Sequence, residues 1–185
     1  MTITLISPTI IDQFSMLYKE IKTNAQSWKN ILFTLSVLTK DKEVFVMLAD
    51  DDEDDRDLFK EAMNEVVPHV NVQTVEDGEH LIKLLEKPDA RIPDLIFLDL
   101  NMPCKSGTEC LKEIRKRNNL KHIPIVIYST SGHKEDIDRT YYNGANVYVR
   151  KPRSFKGIQS VLQKLFNVDW DQYTPLANKE KFVFS

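Results

Sequence analysis

Three carboxylates stand at the ends of two short apolar runs. Val44-Phe45-Val46-Met47-Leu48-Ala49 runs into Asp50-Asp51, and Leu95-Ile96-Phe97-Leu98 runs into Asp99. Runs of this length, apolar throughout, read as central parallel strands covered on both faces. In an open parallel sheet, ligands sit just outside the carboxyl ends of the strands. Three acids gathered there repel one another unless a cation joins them. Donors that are all hard oxygens favour Mg²⁺, which keeps several waters and also engages phosphate oxygens. Mn²⁺ accepts the same donors and is a substitute. The chemistry indicated is that of a metal and a phosphoryl group.

The elements that must position these groups alternate between strand and helix from residue 44 onward. A helix over Glu53 to Val67 carries Leu58, Ala62 and Val66 at helical spacing. Val70, Val72 and Val75 mark a second strand, and a helix near Gly78 to Glu86 turns Leu81, Leu84 and Leu85 inward. After the third strand, a helix from Gly107 to Lys116 carries Cys110, Leu111 and Ile114 on one face. The fourth strand, Ile125-Val126-Ile127-Tyr128, runs into Ser129-Thr130-Ser131. A helix over Glu135 to Asn143, a strand Val147-Tyr148-Val149 and a helix over Phe155 to Phe166 complete the set, the last with Ile158, Val161, Leu162 and Leu165 as its stripe. Five such units predict an α/β fold, a doubly wound parallel sheet with right-handed crossovers. Asp50, Asp51, Asp99, Ser129 and Lys151 then all fall on one edge of that sheet.

This constellation resembles the receiver domain of bacterial two-component response regulators over residues 44–166. The order and spacing carry the resemblance: an acidic pair, then Asp99-Leu100-Asn101-Met102-Pro103, then a hydroxyl residue 30 positions after Asp99, then Lys151-Pro152 beginning 22 positions after Ser129. The resemblance implies a flavodoxin-like five-stranded sheet of order 2-1-3-4-5. It implies Asp99 as phosphoacceptor from a sensor histidine kinase or phosphotransfer protein. The metal set it implies is Asp50, Asp51, Asp99 and the backbone carbonyl of Asn101, with Asp50 placing a metal-bound water. Ser129 is implied as hydrogen-bond donor to the phosphoryl group, Lys151 as its charge partner, and Tyr148 as the switch aromatic. The acidic run Asp50 to Asp55 followed by Arg56 is similar to stand-alone receivers that partner phytochrome-type kinases. The expected output is contact with a downstream protein target. A homodimer through the fourth and fifth helices and fifth strand is a further family expectation.

Other readings of the same residues are weaker. Acids at Asp52, Glu53, Asp54, Asp55 and Asp57 suit a solvated first helical turn, where the helix dipole favours them. Asp50, Asp52, Asp54 and Glu61 fall at four positions of a calcium loop, but Asp55 stands where that loop needs glycine and a strand precedes it. A haloacid-dehalogenase-type phosphatase would use Asp50-x-Asp52 with Ser129 and Lys151. That family needs an acidic pair after a further strand, whereas only Asp169 and Asp171 follow, and Asp99 would have no role. A receiver-like interaction module that works without phosphorylation is the remaining alternative. Such modules usually lack one of the key residues, and all are present here.

Composition narrows the partners. A net charge of −3 with no Lys/Arg cluster argues against direct nucleic-acid binding. No run approaches the ~20 apolar residues of a membrane helix, and no basic-then-apolar leader opens the chain. Two cysteines without metal-ligand spacing suit a reducing compartment, so the expected location is cytoplasmic. Residues 1–43 form an N-terminal extension with two helical stripes, one of Ile10, Phe14, Leu17 and Ile21, the other of Trp28, Ile31, Leu32, Leu35 and Leu38. An amphipathic hairpin docking on the receiver or on a second copy is one reading of it; a mis-set translation start is the other. Residues 167–185 are a tail with Trp170 and Tyr173, too short for an effector domain.

Overall fold

The computed structural model describes residues 43–184 apart from 68, 169 and 177. The expected helical extension over residues 1–43 therefore lies outside the described residues, except for its last. The element order is β1 (Val44–Ala49), α1 (Glu53–Val66), β2 (Val70–Val75), α2 (Gly78–Leu85), β3 (Leu95–Leu98), α3 (Gly107–Lys116), β4 (Ile125–Ser129), α4 (Lys134–Tyr142), β5 (Val147–Arg150), α5 (Phe155–Phe166) and β6 (Val183–Phe184). All strand pairs are parallel, and the spatial order is β2-β1-β3-β4-β5-β6. The predicted order of five strands is present, and the tail adds a sixth.

The apolar runs bury both faces, as a parallel sheet requires. Along β1, Phe45, Met47 and Ala49 enter one core with α2, α3 and α4, while Val46 and Leu48 enter the other with α1 and α5. Helix starts follow local chemistry. Asp52 accepts the Asp55 N–H at 3.1 Å to cap α1, and Ser106 and Glu109 form a reciprocal capping box at the start of α3.

One stripe differs from its expected position. In α1 the buried residues are Phe59, Ala62 and Met63, whereas Leu58 is 40% exposed and Val66 half-buried. Residues 59, 62 and 63, at i, i+3 and i+4, make the stripe that faces the sheet, which leaves Leu58 about 100° from Phe59 and Val66 at the helix end. The ring of Phe59 takes the inward place, packed edge-on to Phe97 at 4.7 Å between centroids.

Arg115, on the last turn of α3, binds two connections together, the one from α3 to β4 and the one from α4 to β5. Its guanidinium donates to the carbonyls of Gly144 (2.7 Å), Ile123 (2.9 Å) and Lys121 (3.1 Å) and to Asn146 Oδ1 (2.8 Å). Burial pushes its pKa down to about 10, which leaves it charged at neutral pH.

The tail closes the β5 edge. Tyr148 N–H donates to Phe182 O at 2.7 Å, and Val183 and Phe184 pair in register with Tyr148 and Val149. Phe182 is buried against Tyr141 and Tyr148, and Lys179 pairs with Asp138 at 2.8 Å. A two-residue strand has no periodicity to read, so only the aromatic content of this segment signals that it packs.

Candidate functional site

The chain leaves β1 toward β2 on one side and returns to β3 on the other, so a crevice opens between the carboxyl ends of β1 and β3. Ala49 and Leu98 are register partners there, and Asp99 N–H donates to Ala49 O at 2.9 Å. The residues that follow each strand, Asp50 and Asp99, are thereby neighbours. One carboxylate oxygen each from Asp50, Asp51 and Asp99 lies within 4.8 Å of the other two. Asp50 is fully buried, Asp99 is 6% exposed and Asp51 faces solvent.

The backbone fixes two of these acids from below. Asp99 Oδ1 accepts the Leu100 N–H at 2.7 Å, and Asp50 Oδ1 accepts the Asp52 N–H at 3.2 Å. Arg56 donates to the Asp50 carbonyl at 2.8 Å, tying the start of α1 to the strand end. Gly107 closes the loop after β3: its N–H meets Leu100 O at 3.1 Å, and a Cβ there would stand 1.9 Å from the Asp99 carbonyl oxygen. Any side chain at 107 would displace the backbone that carries Asp99.

Lys151 enters from the end of β5, its N–H bonded to Ser129 O at 2.8 Å. Its ammonium lies 2.7 Å from Asp50 Oδ2, 2.7 Å from Asp55 Oδ2 and 3.8 Å from Asp99 Oδ2, and its side chain is only 7% exposed. The Tyr128 ring lies beneath it, 5.8 Å from centroid to nitrogen. Burial opposes the charge on Lys151, but Asp50, Asp55 and Asp99 overcome that cost and hold its pKa above the usual lysine value. For Asp50 the balance falls the other way: burial, reinforced by Asp99, outweighs Lys151 and pushes the carboxyl up to about 6.

Ser129 is fully buried at the end of β4, with Oγ accepting the Ser131 N–H at 3.4 Å, whereas Thr130 is exposed. Tyr148 is fully buried, turned inward, and donates its hydroxyl to Ser131 O at 2.9 Å. Asn101 is exposed in the loop after β3. Lys105 in that loop pairs with Glu113 at 2.5 Å, and Ser106 is the cap of α3. Thus Asp50, Asp51, Asp99 and Lys151 converge directly, with Ser129 joined to Lys151 through the backbone.

The sequence reading missed two contributors. Asp55, assigned there to a solvated helix turn, pairs with Lys151, and Tyr128 supports the ammonium from below. For Asp55 a signal existed. It precedes Phe59 by four positions and Ala62 by seven, which places it on the inward face of α1.

The donor set fits a hard divalent cation. Three carboxylates converge with no thiol or imidazole among them, and Asp50 Oδ2, though close to Lys151, has no partner in hydrogen-bond geometry. Cys104 is exposed and Cys110 buried, both as free thiols, and burial raises the Cys110 pKa to about 12.

Comparison with known proteins agrees with this geometry. The response regulator receiver domain model matches residues 46–163. The response regulator Rcp1 of Synechocystis sp. is 30% identical over 122 residues, covering 64% of this chain and 83% of that protein. The chemotaxis protein CheY-3 of Vibrio cholerae is 29% identical over 125 residues, covering 68% and 93%. The crystal structure of a phosphorylated cyanobacterial phytochrome response regulator, RcpA, superposes with a TM-score of 0.63 at 34% identity, covering 67% of this chain and 91% of that one. Proteins of this family are signalling proteins that receive a phosphoryl group from histidine kinases or phosphotransfer partners, and not classical enzymes. The chain belongs to the response regulator receiver family.

Proposed function

We propose that this chain is a phosphoacceptor in a two-component pathway, with Asp99 as the residue modified. The observation that carries this reading is the meeting of Asp50, Asp51 and Asp99 within 4.8 Å at the switch point of the sheet, with the Lys151 ammonium beside them. A carboxylate oxygen of Asp99 attacks the phosphorus of a phosphohistidine on the partner. The new O–P bond forms as the P–N bond breaks, and the imidazole leaves and takes up a proton. Phosphoryl transfer of this kind asks the protein for position and charge neutralisation more than for acid–base chemistry.

Asp50, Asp51, Asp99 and the Asn101 carbonyl would hold the metal, for which Mg²⁺ is the proposed ion and Mn²⁺ a substitute; the crystal structure of an Mn²⁺-bound form of Rcp1 supports a divalent ion in this fold. Bound metal supplies positive charge against the phosphoryl oxygens. Lys151 supplies the second cation, and the Ser129 hydroxyl donates to a phosphoryl oxygen once Asp99 is modified. Ser131, two residues beyond Ser129, ties that movement to Tyr148 through the bond its carbonyl accepts. A phosphoryl group adds nearly two negative charges, enough to bias a loop between two arrangements. The output is contact with a downstream protein target.

Among the described residues no helix is long and apolar enough to cross a membrane, and free thiols suit a cytoplasmic location. The receiver unit is residues 44–166, with the tail joined to its sheet edge.

Incubation with acetyl phosphate and Mg²⁺, followed by intact-mass measurement, tests the reading. The expected result is a gain of one phosphoryl mass, about 80 Da, that requires Mg²⁺ and is absent from Asp99→Asn. No gain under conditions that modify a control receiver, together with no binding of a phosphoryl mimic, would leave a phosphorylation-independent interaction module.

A further inference from the structure

Lys151 has one more carboxylate than its task requires. A lysine that neutralises a phosphoryl group on Asp99 needs its ammonium free to approach that group. Here the ammonium stands 2.7 Å from both Asp50 and Asp55, and 3.8 Å from Asp99. The Asp55 contact spans 96 positions of sequence, joining the first turn of α1 to the end of β5. It is a hydrogen-bonded ion pair whose lysine is almost wholly buried and whose aspartate side chain is 38% exposed. Neither α1 nor β5 depends on it: the α1 cap uses the Asp55 backbone N–H and not its carboxylate, and β5 is held by its strand pairs.

We propose that Asp55 is a positioning residue that holds Lys151 in a resting place and competes with the phosphoryl group for its ammonium. The inference rests on the phosphoacceptor reading of Asp99. In the unmodified chain the ammonium lies toward the Asp50–Asp55 side. A phosphoryl group on Asp99 brings oxygens of higher charge density within reach, and Lys151 transfers a hydrogen bond from Asp55 to them. Asp55 thereby lowers the affinity of the pocket for a phosphoryl group and sets how far the equilibrium between resting and modified states lies toward rest. A chain with Asp50, Asp51, Asp99 and Lys151 alone would have a tighter pocket.

The test uses the full-length chain and beryllofluoride, a mimic of the phosphoryl group, titrated with saturating Mg²⁺ in a calorimeter. Asp55→Asn is expected to bind it roughly twofold to fivefold tighter than wild type, the upper part of the range for loss of an ion pair with one partner partly exposed. Asp55→Glu, which restores the carboxylate, is expected to return the affinity toward the wild-type value. The amine of Lys151, followed by acylation and peptide mass spectrometry without Mg²⁺, is expected to react faster in Asp55→Asn. A merely structural role would lower the unfolding midpoint and leave these readouts unmoved. Equal or weaker mimic binding by Asp55→Asn, with wild type binding normally, overturns the role of Asp55 alone. Failure of wild type to bind the mimic overturns the phosphoacceptor reading and this inference with it.

Discussion

Two cations packed against the same sheet, Arg115 at the end of α3 and Lys151 just after β5, make opposite use of their surroundings. Arg115 meets three backbone carbonyls and one side-chain amide, all neutral, and burial lowers its pKa. Lys151 faces three carboxylates, and their attraction outweighs burial and raises its pKa. Five planar donors with fixed directions suit Arg115 to joining loops. One flexible point charge among several acids suits Lys151 to changing partners. The amount of burial does not separate the structural cation from the chemical one; the charge of the partners does.

Substitution of Arg115 is the strongest way to break this contrast. Arg115→Met strips four acceptors of a charged donor and should lower the unfolding free energy by about 3 kcal/mol. Urea unfolding measures that loss, while beryllofluoride affinity of the folded protein should remain within about twofold of wild type. Arg115→Met that spares stability, or that abolishes mimic binding, would dissolve the distinction. Lys151→Met should do the reverse. Beryllofluoride affinity falls by about 100-fold as the second cation is lost, yet Mg²⁺ alone binds tighter because no ammonium competes for Asp50. Calorimetry with each ligand separates the two signs.

A smaller effect sharpens the electrostatic side. The Asp50 carboxyl is raised from 3.8 to about 6 in the folded chain by burial first, so the fold binds a proton there that the unfolded chain does not. Its contribution to stability therefore grows as pH falls from about 6 toward 3.8 and is lost as pH rises through about 6. Mg²⁺ must displace this proton, so its apparent affinity should fall by up to about tenfold per unit below that pH and level off above it. Asp50→Asn should lack this pH-dependent contribution to metal-free stability. Thermal unfolding across the range, with and without Mg²⁺, reads both effects.

Most of the site was legible because strand ends are legible. Continuous apolar runs locate β1, β3, β4 and β5, and in a parallel sheet their carboxyl ends share an edge, so the residues after each run must meet. Asp55 escaped for another reason than the misplaced α1 stripe. It stands three positions before Leu58, four before Phe59 and seven before Ala62, so either stripe turns it inward; the preference of first-turn acids for solvent and the helix dipole masked that signal. Tyr128 was read only as part of a strand, since nothing in its spacing says that an ammonium rests above its ring. β6 escaped because its pairing is decided by Phe182 filling a gap between Tyr141 and Tyr148, a fact of three-dimensional packing without local pattern.

That last residue also bears on the order in which the protein can be built. Phe182 follows Tyr148 by 34 positions, and chains are synthesised from the N-terminus, with early segments free to fold first. A nascent chain that has delivered β5 but not Phe182 presents an open strand edge and an uncovered tyrosine, the kind of surface that recruits other chains. The β5 edge is closed only when the segment that seals it has left the ribosome, so this edge matures after the rest of the sheet.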